Sequence, residues 1–193
     1  MSVRDVARQA YREALPALAT SVVGGLFAGA VLGGMRAELR AVPGLLVLVP
    51  ALLATRGNVY GSLGARLSTG LHQGLVEPEW MPDDRVRAAV LAALGNGVLA
   101  SCFAAVVAFL VLSILGEPVA SLTTLLAIAL VAGVLSGGAL TVAVVSVVFA
   151  GFSRGHNPDT LVGPLVTTTG DVFGISFLLL AVRFVLRIGL GGG

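Results

Sequence analysis

The chain is 193 residues long, 56% hydrophobic and only 11% charged, with a mean hydropathy of +0.99. A soluble domain carries about 25% charged residues, so this composition excludes a water-facing surface and requires an integral membrane protein. All 12 basic residues are arginine, which excludes the lysine-dependent phosphate loop of an ATP-driven pump. The net charge of +2 gives no case for nucleic acid.

A membrane-crossing helix needs about 20 mostly apolar residues, and the charge-free runs supply them in chain order. Residues 1–13 carry Arg4, Arg8 and Arg12 at four-residue spacing and read as a short cytoplasmic amphipathic helix at the membrane surface. Five transmembrane helices follow, at about 14–35, 42–70, 88–116, 119–153 and 160–187, giving an all-α integral membrane protein with one five-helix domain over 14–193. The second is expected to be interrupted, because Pro50, Arg56, Gly57 and Asn58 fall inside one apolar segment. Irregular backbone at membrane depth is tolerated only against protein or a water-filled cavity.

Orientation follows from the arginines. With the N-terminus in the cytoplasm, Arg4, Arg8, Arg12, Arg66, Arg85, Arg87 and Arg154 lie inside, against Arg36, Arg40, Arg183 and Arg187 outside, and the C-terminus is external. Cys102 is the sole cysteine, so no intrachain disulfide exists. No Ser–His pair or HExxH signature marks an enzyme.

Two segments carry chemistry. A break at Val49–Asn58 would offer free backbone carbonyls and the Asn58 amide oxygen to a cation; a plain kink packed against neighbours fits the same residues. The second segment runs from Asn157-Pro158-Asp159 through Gly163-Pro164 to Thr167-Thr168-Thr169-Gly170-Asp171 and Gly174. Asp171 is the one carboxylate well inside an expected span, where it costs about 2.5–3.5 kcal/mol on insertion scales. On a helix it shares a face with Gly163 and Thr167, a small, hydroxyl-bearing and acidic face suited to a cation. The alternatives are an ion pair with Arg56 or Arg66, or a protonated carboxyl against a neighbouring helix.

Val49-Pro50-Ala51-Leu52-Leu53, Gly57-Asn58 and Ala65-Arg66-Leu67-Ser68-Thr69 resemble the first signature region of solute carrier family 41 and its prokaryotic relatives, the MgtE magnesium transporters. Asn157-Pro158-Asp159, Pro164 and Gly170-Asp171 resemble the second, in the expected order and about a hundred residues on. The resemblance implies a pathway for Mg2+ as the transported ion, with no organic cofactor and with Asp171 as the metal-binding acid. It implies that Gly57, Asn58, Thr167, Thr168, Gly170 and Gly174 line the path, and that Pro50, Asn157, Pro158, Asp159 and Pro164 shape the motifs. It further implies a second five-helix unit, as a homodimer or as a heterodimer with a sister chain, with the path on the two-fold axis. Relatives with cytoplasmic sensing domains carry them before the first span, so gating by such a domain is not expected of this chain. Two competing expectations stand beside this one. The first is a sodium- or proton-coupled efflux carrier using the same acid; the second is a membrane scaffold, which has no need of an intramembrane acid.

Overall fold

The computed structural model describes the backbone of residues 3–78, 83–155 and 158–190, with side chains there except at 3–10, 12–14, 16–17, 158–162 and 165. All regular structure in these residues is helical: α1 (Val3–Gly34), α2 (Arg36–Ala41), α3 (Leu45–His72), α4 (Asp84–Leu115), α5 (Leu122–Ser153) and α6 (Pro158–Arg187).

The boundaries have local causes. Asp83 caps α4 by accepting the Val86 N–H at 2.9 Å, and Ser121 caps α5 by accepting the Thr124 N–H at 3.2 Å. α4 stops at Gly116 in the left-handed region (φ +70°), where the Glu117 N–H bonds back to the Leu112 carbonyl at 3.0 Å. Gly44 (φ +87°) precedes α3, and a Cβ there would lie 2.8 Å from Leu112 Cδ1. The turn into α3 therefore seats against the end of α4 only because the residue is glycine.

Two expectations are corrected. The second span is not interrupted: α3 runs unbroken through Pro50, Arg56, Gly57 and Asn58. Pro50 lies in the second turn, where it forfeits one backbone bond, that to the Leu46 carbonyl. Gly57 and Asn58 cost at most about 1 kcal/mol each in helix propensity, and packing against α4, α5 and α6 offsets that. Nor is the N-terminal segment a separate helix, since α1 is continuous from Val3 to Gly34; the Arg4, Arg8 and Arg12 side chains lie outside the described ones. Among the described residues four helices, α3 to α6, are long and apolar enough to cross a membrane, and the described part of α1 adds the apolar stretch Leu18–Gly34.

Helix directions follow from pairs of tie points. Thr168 packs on Gly24 of α1 and Arg183 bonds Glu38 just beyond α1, so α1 and α6 run parallel. α3 meets α6 at Gly174 through Leu53 and Arg56, lower on α3 than the Glu38–Arg183 tie, so these two run antiparallel. Gly133 faces Ser101, while Tyr60 wedges between Gly137 and Gly97; α4 and α5 are antiparallel as well. The buried apolar side chains form two clusters. One, around Leu45, Leu48, Leu52, Ile128, Leu178 and Val182, fills the end of the bundle that holds α2. The other, around Leu63, Leu67, Leu140, Val144 and Phe149, fills the opposite end.

Candidate functional site

Between the two clusters lies a polar layer, and α3 supplies its centre. Arg56 is 3% exposed, and its Nε donates to Ser136 Oγ on α5 at 2.7 Å. The Ser136 hydroxyl in turn donates to the Ala132 carbonyl, so the serine is held as an acceptor for the guanidinium. One turn on, buried Tyr60 has its hydroxyl oxygen against Gly97 and Gly137. Arg56 Nη1, Tyr60 Oη and Thr141 Oγ1 are buried without a hydrogen-bond partner among the described residues. Small residues let the helices close here: Gly97 and Ser101 on α4 oppose Gly133 and Gly137 on α5 at four-residue spacing. The sequence carried that signal in Gly97-x-x-x-Ser101 and Gly133-x-x-x-Gly137, though the reading of site residues passed over it.

Asp171 lies three residues from Gly174, hence about 4.5 Å along α6 from the Arg56 contact and, by the antiparallel register, level with Gly57 to Tyr60 of α3. It is partly buried and has no ion-pair or side-chain hydrogen-bond partner among the described residues. The expected alternative of a pair with Arg56 or Arg66 is not formed. No three His, Cys, Asp or Glu side chains converge among the described residues.

The other expected site residues separate by direction. Thr167 is exposed and its hydroxyl donates to the Gly163 carbonyl at 3.0 Å; a Cβ at Gly163, Gly170 or Gly57 would meet nothing within 4 Å. Gly163 and Thr167 are exposed, Gly57 is half-buried and Gly170 is buried, with no neighbouring atom crowding the glycine positions. Thr168 turns to α1: its hydroxyl donates to the Pro164 carbonyl at 2.8 Å and so accepts from Ser21 Oγ at 3.2 Å. Gly174 turns to α3, where a Cβ would lie 2.7 Å from Leu53 Cδ2 and 3.1 Å from Arg56 Nη1. Asn58 is on the far side of α3 from Arg56 and lines a recess of about 240 Å³ with Ser62, Arg66 and Asn96. Pro50 and Pro164 are both accommodated inside helices. Pro158 and Asp159 begin α6, their side chains being outside those described, and Asn157 lies outside the described residues.

Long apolar helices enclosing a buried guanidinium, with a mid-depth carboxylate that has no partner among the described residues, define a polytopic membrane protein. Charges are placed inside its bundle at a cost that function must justify. The chain belongs to the MgtE family, described as divalent cation transporters, whose pattern matches residues 49–181 and so takes in both motif segments and Asp171. It is also similar to the solute carrier family 41 member 3 of Rattus norvegicus, with 25% identity over 147 residues. That match covers 75% of this chain and 32% of the rat protein, so the chain spans about a third of that relative's length. No solved structure matches it.

Proposed function

We propose that the chain moves divalent cations across a cell membrane, magnesium foremost, through a path shared with a second copy on a two-fold axis. Asp171 of each copy is the ion-binding acid. One observation carries this reading: a mid-span carboxylate without a partner among the described residues, beside Gly170, where a Cβ would meet nothing within 4 Å, in a chain of the MgtE family.

Magnesium sheds water reluctantly, so it keeps several waters and takes one or two carboxylates. Two Asp171 side chains facing each other suit a hydrated ion. At an effective dielectric of about 20, each carboxylate about 5 Å from a doubly charged ion contributes roughly 7 kcal/mol of attraction before desolvation. Gly57, Thr167 and Gly170 leave room for the water shell; Thr168 and Gly174 serve by seating α6 on α1 and α3. The N-terminus is cytoplasmic and the C-terminus external in this arrangement, following the arginine distribution.

The test is magnesium flux into proteoliposomes containing the purified chain, beside Asp171→Asn. Flux in the parent and loss in the variant is the expected result. Equal flux in both would keep a transporter and discard the site. No flux in either, from a folded dimer, would point to a sister chain, a coupling ion or a scaffold.

A further inference from the structure

The motif residue Arg66 takes no part in the path just proposed, and its surroundings suggest another role. It sits on α3 six residues before His72, about 9 Å inside the helix end. There it is exposed and has no ion-pair or hydrogen-bond partner among the described residues. It borders a furrow of about 760 Å³ between α3 and α4. Across the furrow stands Arg85, held in place by donating from Nη1 to the Leu75 carbonyl at 3.1 Å and exposed on its other side. Gln73 and Thr69 line the mouth, Ser62 lies deeper, and Ala88, Ala89 and Ala92 form an apolar wall. No carboxylate lines the furrow among the described residues; Asp84, next in sequence to Arg85, leans to Arg87 at 3.9 Å instead. The furrow adjoins the 240 Å³ recess of Asn58 and Asn96, with which it shares Ser62, Arg66, Ala89 and Ala92, and the opposite half of the seam holds a further hollow of about 400 Å³ walled by Ala51, Ala104 and Phe103.

We infer that this furrow holds an anionic glycerophospholipid, its phosphodiester between Arg66 and Arg85 and its acyl chain along the alanine wall. Charge and geometry agree on that occupant. Two guanidiniums without a countercharge among the described residues offer paired N–H donors matched to phosphate oxygens. They stand at the membrane boundary of a helix pair, where basic pockets recognise lipid headgroups. Ser62, about 6 Å deeper than Arg66 along α3, meets the ester region. Inorganic phosphate would use the arginines and leave the apolar wall empty. The inference does not rest on the transport reading.

Native mass spectrometry of the full chain, titrated with phosphatidylglycerol or phosphatidylcholine of matched acyl chains, tests it. Phosphatidylglycerol should bind at a roughly 10- to 30-fold lower concentration, each arginine near the headgroup being worth about a factor of five. Arg66→Gln with Arg85→Gln should abolish that preference. Arg154→Gln should keep it, since Arg154 lies at the same end beside α5 and outside the furrow. Ala92→Trp, which fills the furrow with both arginines intact, should lower phosphatidylglycerol occupancy, and it decides the matter if the double variant fails to elute as a folded species. Equal binding of the two lipids, or a preference that survives the double variant, would overturn the inference. So would displacement of the lipid by millimolar inorganic phosphate, which assigns the arginines to a free anion. Efficient disulfide cross-linking of Ala92→Cys between two copies would give the furrow to a second copy instead.

Discussion

Arg56 and Asp171 are opposite charges at nearly one height in the bundle, and the chain treats them in opposite ways. The guanidinium is enclosed: Ser136 accepts from its Nε, Gly174 makes room for it, 3% of its surface remains exposed, and Nη1 alone is buried without a partner among the described residues. The carboxylate is left partly open, next to Gly170, with no donor aimed at it among the described residues. A buried charge needs its partner inside the fold to be tolerated. A charge meant for a ligand needs that partner absent. The contrast is between a charge enclosed by the fold and one left open, and it makes distinct demands on mutants.

The largest effect is expected at Asp171. Asp171→Asn should lower magnesium flux at least tenfold while leaving the thermal midpoint in detergent within about 2 °C of the parent, because nothing in the fold depends on the charge. Ser136→Ala should do the reverse. It deprives the Arg56 Nε of its acceptor in the interior and should cost about 1–3 kcal/mol of stability, read as a lowered midpoint, while Asp171 stays in place. If Ser136→Ala leaves the midpoint unmoved and Asp171→Asn lowers it, the assignments are exchanged.

Two glycines of α6 sharpen the comparison. Gly174→Ala places a Cβ 2.7 Å from Leu53 Cδ2 and should cost about 1–3 kcal/mol by overpacking. Gly170→Ala meets nothing within 4 Å and should be neutral or stabilising by up to about 1 kcal/mol through helix propensity. Yet it should reduce flux, since the new methyl stands beside Asp171. Thermal midpoints and flux measured on the same preparations separate the two glycines.

Much of this was legible in the sequence. Charge-free runs located the helices, and the four-residue spacing of Gly163, Thr167 and Asp171 placed them on one face. What failed to show was direction within a motif. Gly57 and Asn58 are adjacent in sequence and look to different neighbours, one to open space and the other into the α3–α4 recess. Thr167 and Thr168 differ in the same way. Successive residues on a helix are about 100° apart, so a contiguous motif is dispersed around the axis. The continuity of α3 was hidden for another reason: Pro50, Gly57 and Asn58 argue locally for a break, while the packing that overrides them comes from α4, α5 and α6. Arg56's acceptor lies eighty residues away and no local pattern points to it. The small-residue spacings at 97–101 and 133–137 were the available hint that α4 and α5 close tightly there.

The smallest effect concerns a carboxylate built like Arg56 rather than like Asp171. Glu38 is 7% exposed and accepts from Arg183 Nε at 2.7 Å. That hydrogen bond is the main cause holding its pKa below the ordinary carboxylate value. A lowered folded-state pKa contributes stability that is complete above the unfolded value of about 4.3 and is lost as pH falls through it toward the folded value. Arg183 is 61% exposed at its side chain, so solvent screens the pair and the contribution is under about 1 kcal/mol. Between pH 7 and pH 3.5 the midpoint of the parent should therefore fall by more than that of Glu38→Gln, with the two curves converging at the acid end. Parallel curves would mean that α2 is seated by the burial of its flanking Met35 and Val42, with the ion pair contributing nothing to the fold.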